Sequence, residues 1–295
     1  MDKILIVDKE KNMTSHDVVN KIRRIFKTKR VGHTGTLDPN ATGVLVVCLN
    51  EATKLVQFLE YDKKSYLCRI CVGVSTETED ADGEVVEEKK VDYIESELID
   101  SVLKSFEGDY EQYPPMYSAI KVNGKRLYEY ARKGEKLEVE PRIVKIFNIH
   151  RLTEVIVEDN KVKFDFIVTV SKGTYIRTLC VDIGKKLGYP AHMSELRRLS
   201  VGSFSLVDSN KLEDIENGKY KLFNMLDGLK QYPMTDDSEL IKKASNGMKV
   251  SIDVVTNIFN KQVNKFVIKN NDSLIAIYEL DVTEKFYRAA RVWEQ

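Results

Sequence analysis

The sequence predicts an α+β protein, with a mixed sheet and helices over residues 1–232 and a small β module over residues 233–295. An apolar residue at every second position over 161–170 is typical of a half-buried strand. Apolar residues at helical spacing predict helices near 15–26, 93–106 and 176–187. The terminal module is predicted from four short apolar runs, near 248–252, 264–269, 273–279 and 287–293.

Composition limits the class of protein. Hydrophobic residues make up 42% and charged residues 31% of the 295 residues, which is an ordinary globular composition with material for a sizeable core. No apolar run approaches a membrane span, and the acidic N-terminus does not resemble a signal peptide. The 46 basic and 46 acidic residues cancel, so nucleic-acid binding would need a local basic patch. Four cysteines do not predict a disulfide framework, and we expect a cytoplasmic protein.

The first helix leads into a glycine-rich segment. The Thr14-Ser15 hydroxyls suit a helix N-cap after a strand at 3–8. The polar face of the helix carries basic residues, among them Lys21 and Arg24. Such a face is commonly just solvated, but here it directly precedes the glycine-rich segment, which favours a polyanion nearby.

Residues 31–43 contain three glycines and a proline, so we predict a loop. Its single carboxylate, Asp38, precedes Pro39, which favours an extended backbone at Asp38. An apolar run at 44–49 follows and predicts a buried strand. A loop fastened to the core in this way often carries function; a tight turn that needs glycine only for its geometry is the alternative.

Two short patterns suggest metals but are better explained otherwise. Cys68 and Cys71 form a C-x-x-C within a predicted strand at 66–74, where residues three apart face opposite sides. No second pair of ligands follows, so we favour a structural role over a zinc or redox site. The acidic run at 79–83 lacks the ligand spacing of a calcium loop and predicts an acidic turn.

Tyrosines and basic residues are interspersed over 112–128. Rings that stack on bases and cations that meet phosphates suit looped or single-stranded nucleic acid. A rigid loop with its aromatics in the core is the alternative.

A helix after the turn at 171–173 carries Tyr175 and Arg177 in its first turn and ends before Gly188. An arginine there opposes the helix dipole, so it either points to solvent or has an anionic partner. The mixed segment 192–199 then precedes a predicted strand at 200–207, and 208–232 is interpreted as a connector.

Several reaction classes are disfavoured by the motifs. There is no Gly-x-Ser-x-Gly elbow, no histidine pair at metal spacing and no Gly-Lys-[Ser/Thr] ending to the glycine-rich loop. What remains is one loop carboxylate, one arginine at the start of a helix, tyrosines and local basic patches.

Four segments in order resemble the TruB-type tRNA pseudouridine synthases. They are Val31 to Gly43, Lys64-Ser65-Tyr66, Tyr113 to Lys121, and Ser171 to Arg177 followed by His192 to Leu199. Together they are far more specific than any one motif. The resemblance implies a pseudouridine-synthase-like domain with a mixed, largely antiparallel sheet flanked by helices, and it implies that the terminal module is a PUA-like RNA-binding β-barrel.

The resemblance also implies a reaction, the isomerisation of uridine 55 in the tRNA T-loop to pseudouridine. The bond from ribose C1′ to base N1 is broken and remade to C5. Nothing is oxidised, so no cofactor or metal is expected. The family makes Asp38 the nucleophile, Arg177 the partner of its carboxylate and Tyr66 the ring that stacks on the uracil. A nearby cation favours the ionised form of an aspartate.

Further residues match the family's handling of a flipped base, which costs a few kcal/mol in unstacking. His33 matches the residue that fills the vacated space, and Tyr175 and Leu196 match pocket residues. The candidate phosphate contacts are weaker, because a solvated cation is the default. They are Lys9, the basic residues of 21–30 with Lys21 and Arg24, those of 121–126 with Lys121, and the pair Arg197-Arg198.

One segment departs from the family pattern. Where relatives have Asp-Lys-Pro-x-Gly, this chain has Asp8 to Asn12 without proline or glycine, and Asn12 could take the left-handed conformation of the glycine. The expected partner is the tRNA T-arm, with no obligatory protein partner and no membrane. Two other functions stay open: a tRNA-folding chaperone, and the guide-RNA-dependent relative of archaea and eukaryotes.

Overall fold

The computed structural model describes residues 2–59, 63–135, 137 and 139–293. Within these ranges no helix is both long and apolar enough to cross a membrane. The strands, in chain order, are β1 (Ile4–Lys9), β2 (Val31–Thr34), β3 (Thr42–Leu49), β4 (Lys64–Val72), β5 (Val74–Thr76), β6 (Val85–Glu88), β7 (Gly108–Gln112), β8 (Lys121–Val122), β9 (Lys125–Arg126), β10 (Arg142–Arg151), β11 (Ile156–Glu158), β12 (Lys161–Val170), β13 (Ala191–Val201), β14 (Phe204–Ser205), β15 (Leu222–Phe223), β16 (Met234–Thr235), β17 (Val250–Ser251), β18 (Lys265–Asn270), β19 (Ser273–Asp281) and β20 (Phe286–Val292).

The structure has eight α-helices within the described residues. They are α1 (Ser15–Ile25), α2 (Val56–Leu59), α3 (Ser96–Lys104), α4 (Leu127–Ala131), α5 (Ile176–Leu187), α6 (Leu212–Glu216), α7 (Ser238–Ser245) and α8 (Ile252–Phe259). Three 3₁₀ helices occupy Asn50–Leu55, Leu206–Asp208 and Met225–Leu229.

The main sheet has the order β15-β1-β3-β13-β4-β12-β10-β7. β3 and β13 run parallel, and the other pairs along this path are antiparallel. The prediction of a mixed, largely antiparallel sheet is therefore confirmed. The parallel pair matters for function, because it places the end of β13 beside the start of β3, directly after the glycine-rich loop.

Three apolar clusters hold the main sheet. One face of β4, β12 and β10 packs against α3 and α5. One face of β1 and β3 packs against α1, while the other face packs against residues of the C-terminal module, including Val267, Ile277 and Trp293. The Trp293 indole also donates to the carbonyl oxygen of Glu51 at 3.3 Å.

The C-terminal module is a five-stranded sheet with the order β16-β18-β19-β20-β17. The predicted strands are confirmed, but the helix α8 directly after β17 was not predicted. Its apolar residues pack into the module core with Val255 fully buried. The strand pairings of the described residues give an open order, with β16 and β17 at the two edges.

Local capping signals were reliable. The Thr14 hydroxyl accepts from the Asp17 backbone N–H, and the Asp17 carboxylate accepts from the Thr14 backbone, which forms the capping box of α1. Further along the chain, α5 ends at Gly188, which has a left-handed φ of +83°. The helix predicted over 93–106 is shorter than expected, because only Ser96–Lys104 is helical.

Two predictions about the segments around the site are wrong in part. Residues 31–43 are not a single loop, because β2 pairs Val31 with Leu49 and Thr34 with Val46 of β3; the loop is confined to 35–41. A strand was predicted at 200–207 after a mixed segment at 192–199. The structure instead has β13 over Ala191–Val201, a central strand that lies between β3 and β4. Its basic residues obscured the apolar pattern.

Candidate active site

A cavity of about 460 Å³ lies between the 35–41 loop, the start of β4 and the first turn of α5. Its walls include Asp38, Tyr66, Tyr175, Arg177 and Leu196. These five residues come from four separate segments of the chain, and each was a candidate from the sequence. The other lining residues include Lys64, Tyr117, Ser118, Tyr128, Met193 and Arg198.

The 35–41 loop is held by side chains from three other elements. Arg198 donates from Nη2 to the carbonyl oxygen of Gly35 at 2.9 Å. The Leu37 N–H donates to the hydroxyl of Ser15 at 2.9 Å, and Lys9 donates from Nζ to the carbonyl oxygen of Pro39 at 2.9 Å. The loop that carries Asp38 is thereby held at Gly35 and Leu37 before this residue and at Pro39 after it.

Lys9 is a structural cation and not a surface one. Its side chain is fully buried, and its ammonium also donates to the carbonyl oxygens of Glu10 at 2.9 Å and Met13 at 2.7 Å. Burial lowers the pKa of Lys9 to about 8, although the nearby carboxylate of Asp38 acts in the opposite direction. The three bonds from the Lys9 ammonium to backbone carbonyl oxygens favour a structural role over the predicted phosphate contact.

The altered turn after Lys9 keeps a left-handed residue. Asn12 has φ of +63°, a conformation in which asparagine is tolerated better than most residues. The turn therefore forms with Asn12 where the family pattern has glycine, and its carbonyls serve as acceptors for Lys9.

Arg177 has anionic partners, which resolves why an arginine occupies the first turn of α5. The side chain is buried, and its Nη2 lies 3.6 Å from Oδ1 of Asp38. Its Nη1 lies 3.7 Å from Oδ2 of Asp80, and Nη2 also donates to the carbonyl oxygen of Tyr117 at 2.9 Å. Opposite charges at these distances offset the unfavourable position of the cation relative to the helix dipole.

Asp80 is the main residue that sequence reasoning missed. It lies in the turn between β5 and β6, where its Oδ1 accepts from the Thr78 hydroxyl and the Asp82 N–H. The sequence indicated an acidic turn here, but nothing local links that turn to Arg177, which is nearly a hundred residues later. A carboxylate run of this kind could have been flagged only by asking which anion balances the buried arginine.

Tyr66 and Tyr175 are placed by the backbone. Tyr66 projects from β4 toward the helix-covered face of the sheet, with 8% of its surface exposed. Tyr175 is the residue before α5, and the side chain of Gln112 pairs with both its N–H and its carbonyl oxygen, at 2.8 and 2.9 Å. Both rings line the cavity that Asp38 faces.

His33 does not line this cavity among the residues that the structure describes. It lies on β2 opposite Val47. The candidate cations Lys21 and Arg24 are exposed on α1, and Lys121 is exposed on β8. These residues are available to a large ligand but do not form part of the central site.

Adjacent arginines on β13 have opposite roles. Both were candidate phosphate contacts from the sequence. The Nη2 of Arg197 pairs with Asp8 at 2.7 Å, and Arg197 is absent from the cavity wall as described. Arg198 is buried, donates from Nε to the carbonyl oxygen of Val44 at 2.7 Å and lines the cavity. Neighbouring residues of a strand face opposite sides; Arg198 bonds Gly35 of the 35–41 loop, whereas Arg197 bonds Asp8 and Thr42.

The cysteines do not form a metal site in the described ranges. Cys68 is buried with its Sγ 3.4 Å from Sγ of Cys180, and burial raises the pKa of the Cys68 thiol well above its ordinary value. No cluster of three or more metal-ligating side chains occurs among the described residues. The structural interpretation of C-x-x-C is consistent with this packing.

The geometry suits nucleophilic chemistry on a planar ligand. The Asp38 side chain is 40% exposed and faces the cavity, so a ligand can reach its carboxylate. Tyr66 and Tyr175 provide aromatic surfaces beside it, and Arg177 supplies a fixed positive charge. A flat, uncharged ring attached to an anionic backbone matches these features.

Comparison with known proteins agrees with this arrangement. Residues 23–176 match the model of the TruB family pseudouridylate synthase N-terminal domain. Residues 177–229 match the tRNA pseudouridylate synthase B C-terminal domain. The chain belongs to the TruB family of pseudouridylate synthases.

Relatives within the TruB family cover most of the chain. It is 45% identical to tRNA pseudouridine synthase B of Oceanobacillus iheyensis, with 97% of this chain and 95% of that protein covered. It is 52% identical to tRNA pseudouridine synthase B of Bacillus pumilus over 72% of this chain and 70% of that protein. Among solved structures, a chain of a Cbf5-Nop10-Gar1 complex superposes with a TM-score of 0.71 at 26% identity, with 99% of this chain and 84% of that chain covered. The predicted pseudouridine-synthase-like fold of the main sheet is thus confirmed.

Proposed function

We propose that this TruB-family chain isomerises uridine 55 in the T-loop of tRNA to pseudouridine, with Asp38 as the nucleophile. The observation that carries the proposal is the placement of the Asp38 carboxylate, which faces a cavity of about 460 Å³ beside Tyr66 and Arg177. The relatives named above as tRNA pseudouridine synthase B support the substrate.

The reaction conserves all atoms of the nucleotide. The bond from C1′ to N1 breaks, a bond from C1′ to C5 forms, C5 loses its proton and N1 gains one. Asp38 attacks C1′ or C6, or acts first on the ribose. The carboxylate returns unchanged after each route, so one nucleophile and no cofactor suffice.

The remaining residues receive roles according to their position. Tyr66 stacks on the uracil and manages the proton at C5. Arg177 holds the ionised Asp38 in place, and Tyr175 and Leu196 enclose the flipped nucleotide. His33, which lies outside the cavity wall on β2, fills the space that the base leaves in the RNA.

RNA binding beyond the cavity is assigned to exposed cations and to the terminal module. Lys21, Arg24 and Lys121 are exposed, and contacts of such residues with phosphates make binding salt-dependent. We divide the chain into a catalytic domain of residues 1–232 and a PUA-like RNA-binding domain of residues 233–295. The proposal requires no protein partner, and the cytoplasm is its expected place of action.

The test uses an unmodified tRNA transcript and mass-spectrometric mapping of pseudouridine. We expect the wild type to modify position 55 and Asp38→Asn to leave it unmodified while binding tRNA with similar affinity. The matched control is Asp109→Asn, an exposed carboxylate on β7, which should retain full activity. Equal product from wild type and Asp38→Asn would refute the role of Asp38, and a chaperone that only refolds tRNA would keep its activity in that variant.

A further inference from the structure

Two consecutive carboxylates of the β5–β6 turn meet two consecutive residues of α5. Glu79 Oε2 accepts from the hydroxyl of Thr178 at 2.6 Å, and Asp80 Oδ2 lies 3.7 Å from Nη1 of Arg177. Glu79 and Asp80 are neighbours in the chain, and so are Arg177 and Thr178. The two contacts therefore attach the turn to the helix at two adjacent points. A two-point attachment fixes rotation as well as distance.

The turn presents only one oxygen of Asp80 to the arginine. The other oxygen accepts from the Thr78 hydroxyl at 2.5 Å, and the Asp80 carbonyl oxygen accepts from the Thr76 hydroxyl at 2.6 Å. The Glu79 carbonyl oxygen in turn accepts from the N–H of Met193 on β13 at 3.0 Å. The position of Asp80 therefore depends on how the turn is attached to its surroundings.

Arg177 lies between two carboxylates without a close hydrogen bond to either. Its distances are 3.6 Å to Asp38 and 3.7 Å to Asp80, whereas charge-assisted N–H···O contacts are usually about 2.7–2.9 Å. If Asp80 moved away, the attraction on that side would weaken and the guanidinium could close on Asp38. A direct contact would occupy the lone pairs with which Asp38 must attack.

We propose that Glu79 is a positioning residue, whose hydrogen bond from Thr178 keeps Asp80 on Arg177 and so leaves the Asp38 carboxylate free for the substrate. This inference rests on the proposed function, in which Asp38 is the nucleophile. Thr178 is buried, so water does not readily replace the lost bond. The Glu79 carboxyl has a pKa raised by burial, which the Thr178 bond and Arg177 partly oppose.

A role limited to stabilising α5 is the competing explanation. The sequence of α5 has no acidic residue in its first turn, and a carboxylate from another segment near a helix N-terminus is favourable. Loss of that effect would lower the thermal stability of the protein. It would not by itself separate the rate of the chemical step from tRNA binding.

The experiment measures the single-turnover rate of pseudouridine formation and the Kd for tRNA in four full-length single variants and one double variant. Thr178→Val removes the hydroxyl at nearly constant volume, and Thr178→Ser keeps it. Glu79→Ala removes the acceptor from the turn. Thr169→Val is the matched control. Thr169 lies on β12, and its hydroxyl is 2.8 Å from the hydroxyl of Ser65 on β4, so this bond does not involve α5.

We expect Thr178→Val and Glu79→Ala each to slow the single-turnover rate at least tenfold with Kd within twofold of the wild type. Thr178→Ser and Thr169→Val should stay within threefold of the wild-type rate. The double variant Glu79→Ala with Thr178→Val should be no slower than either single variant, because one bond is removed in all three.

Three outcomes would overturn the inference: wild-type rates in both single variants, equal loss in Thr178→Val and Thr178→Ser, or a rate that falls only in proportion to tRNA binding. If Thr178→Val does not fold, Glu79→Ala still decides, since it changes only the turn. An inactive wild type would instead refute the proposed function, so the two failures are distinguishable.

Discussion

The Asp38 carboxylate and the Arg177 guanidinium lie 3.6 Å apart, within attraction but beyond a short hydrogen bond. Arg177 is buried, while the side chain of Asp38 is 40% exposed to the cavity. The cation is thus fixed in the protein and the anion is open to a ligand. This division of roles suits a nucleophile that must form and then release a bond.

Replacing Arg177 with lysine should slow pseudouridine formation roughly 100-fold, or ~2.7 kcal/mol in the activation free energy. A single ammonium cannot span Asp38, Asp80 and the Tyr117 carbonyl oxygen as the planar guanidinium does. The measurement is the single-turnover rate at saturating enzyme. A rate within threefold of the wild type would show that charge alone is sufficient.

Arg198→Ala should destabilise the protein by about 3 kcal/mol, because the buried guanidinium's bonds to the carbonyl oxygens of Gly35 and Val44 are lost. Arg197→Ala removes a partly exposed ion pair with Asp8 and should cost about 1 kcal/mol or less. Urea denaturation compares the two directly. An equal loss of unfolding free energy in both variants would contradict the assignment of Arg197 and Arg198 to opposite faces of β13.

Gly43→Ala should be strongly destabilising, by more than ~4 kcal/mol. A Cβ at this position would lie 2.2 Å from the backbone oxygen of Arg198, and φ is +101°. Gly124→Ala is the matched control, because its φ of +81° is also left-handed but nothing lies within 4 Å of the added Cβ; we expect ~1 kcal/mol there. Similar losses of Tm in both variants would show that close packing of β3 and β13 is not the cause.

Lys9 should make the free energy of unfolding depend on pH in the alkaline range. Its pKa is about 8 in the folded protein and ordinarily 10.5, so between these values the unfolded state binds more protons and the free energy of unfolding rises with pH. Relative to Lys9→Met, which cannot titrate, the wild type should gain ~2 kcal/mol between pH 7.5 and 9.5. Chemical denaturation at the two pH values measures this gain, and a constant difference between the proteins would contradict it.

Local signals in the sequence predicted the elements that depend on neighbours along the chain. The Thr14 cap and the Gly188 stop gave α1 and α5 because capping acts within one turn. The strand at 161–170 was predicted with its correct bounds, since alternation directly reports one buried face.

Features that depend on distant partners were not predictable. β13 was misplaced because Arg198 points inward to serve backbone carbonyls, which no hydrophobic pattern records. Lys9 was interpreted as a surface cation for the same reason. Asp38, Tyr66, Tyr175, Arg177 and Leu196 were gathered correctly through the family resemblance, but Asp80 required the fold, because only the three-dimensional structure brings its turn to α5.

The contact between Trp293 and the carbonyl oxygen of Glu51 joins residues 242 positions apart. Trp293 also belongs to the same apolar cluster as Ile4 and Ile6 of β1. During synthesis, the apolar cluster on this face of β1 therefore stays incomplete until the C-terminal module has left the ribosome. Until then part of its apolar surface is open to mispairing, which makes this chain a candidate for chaperone assistance during its own translation.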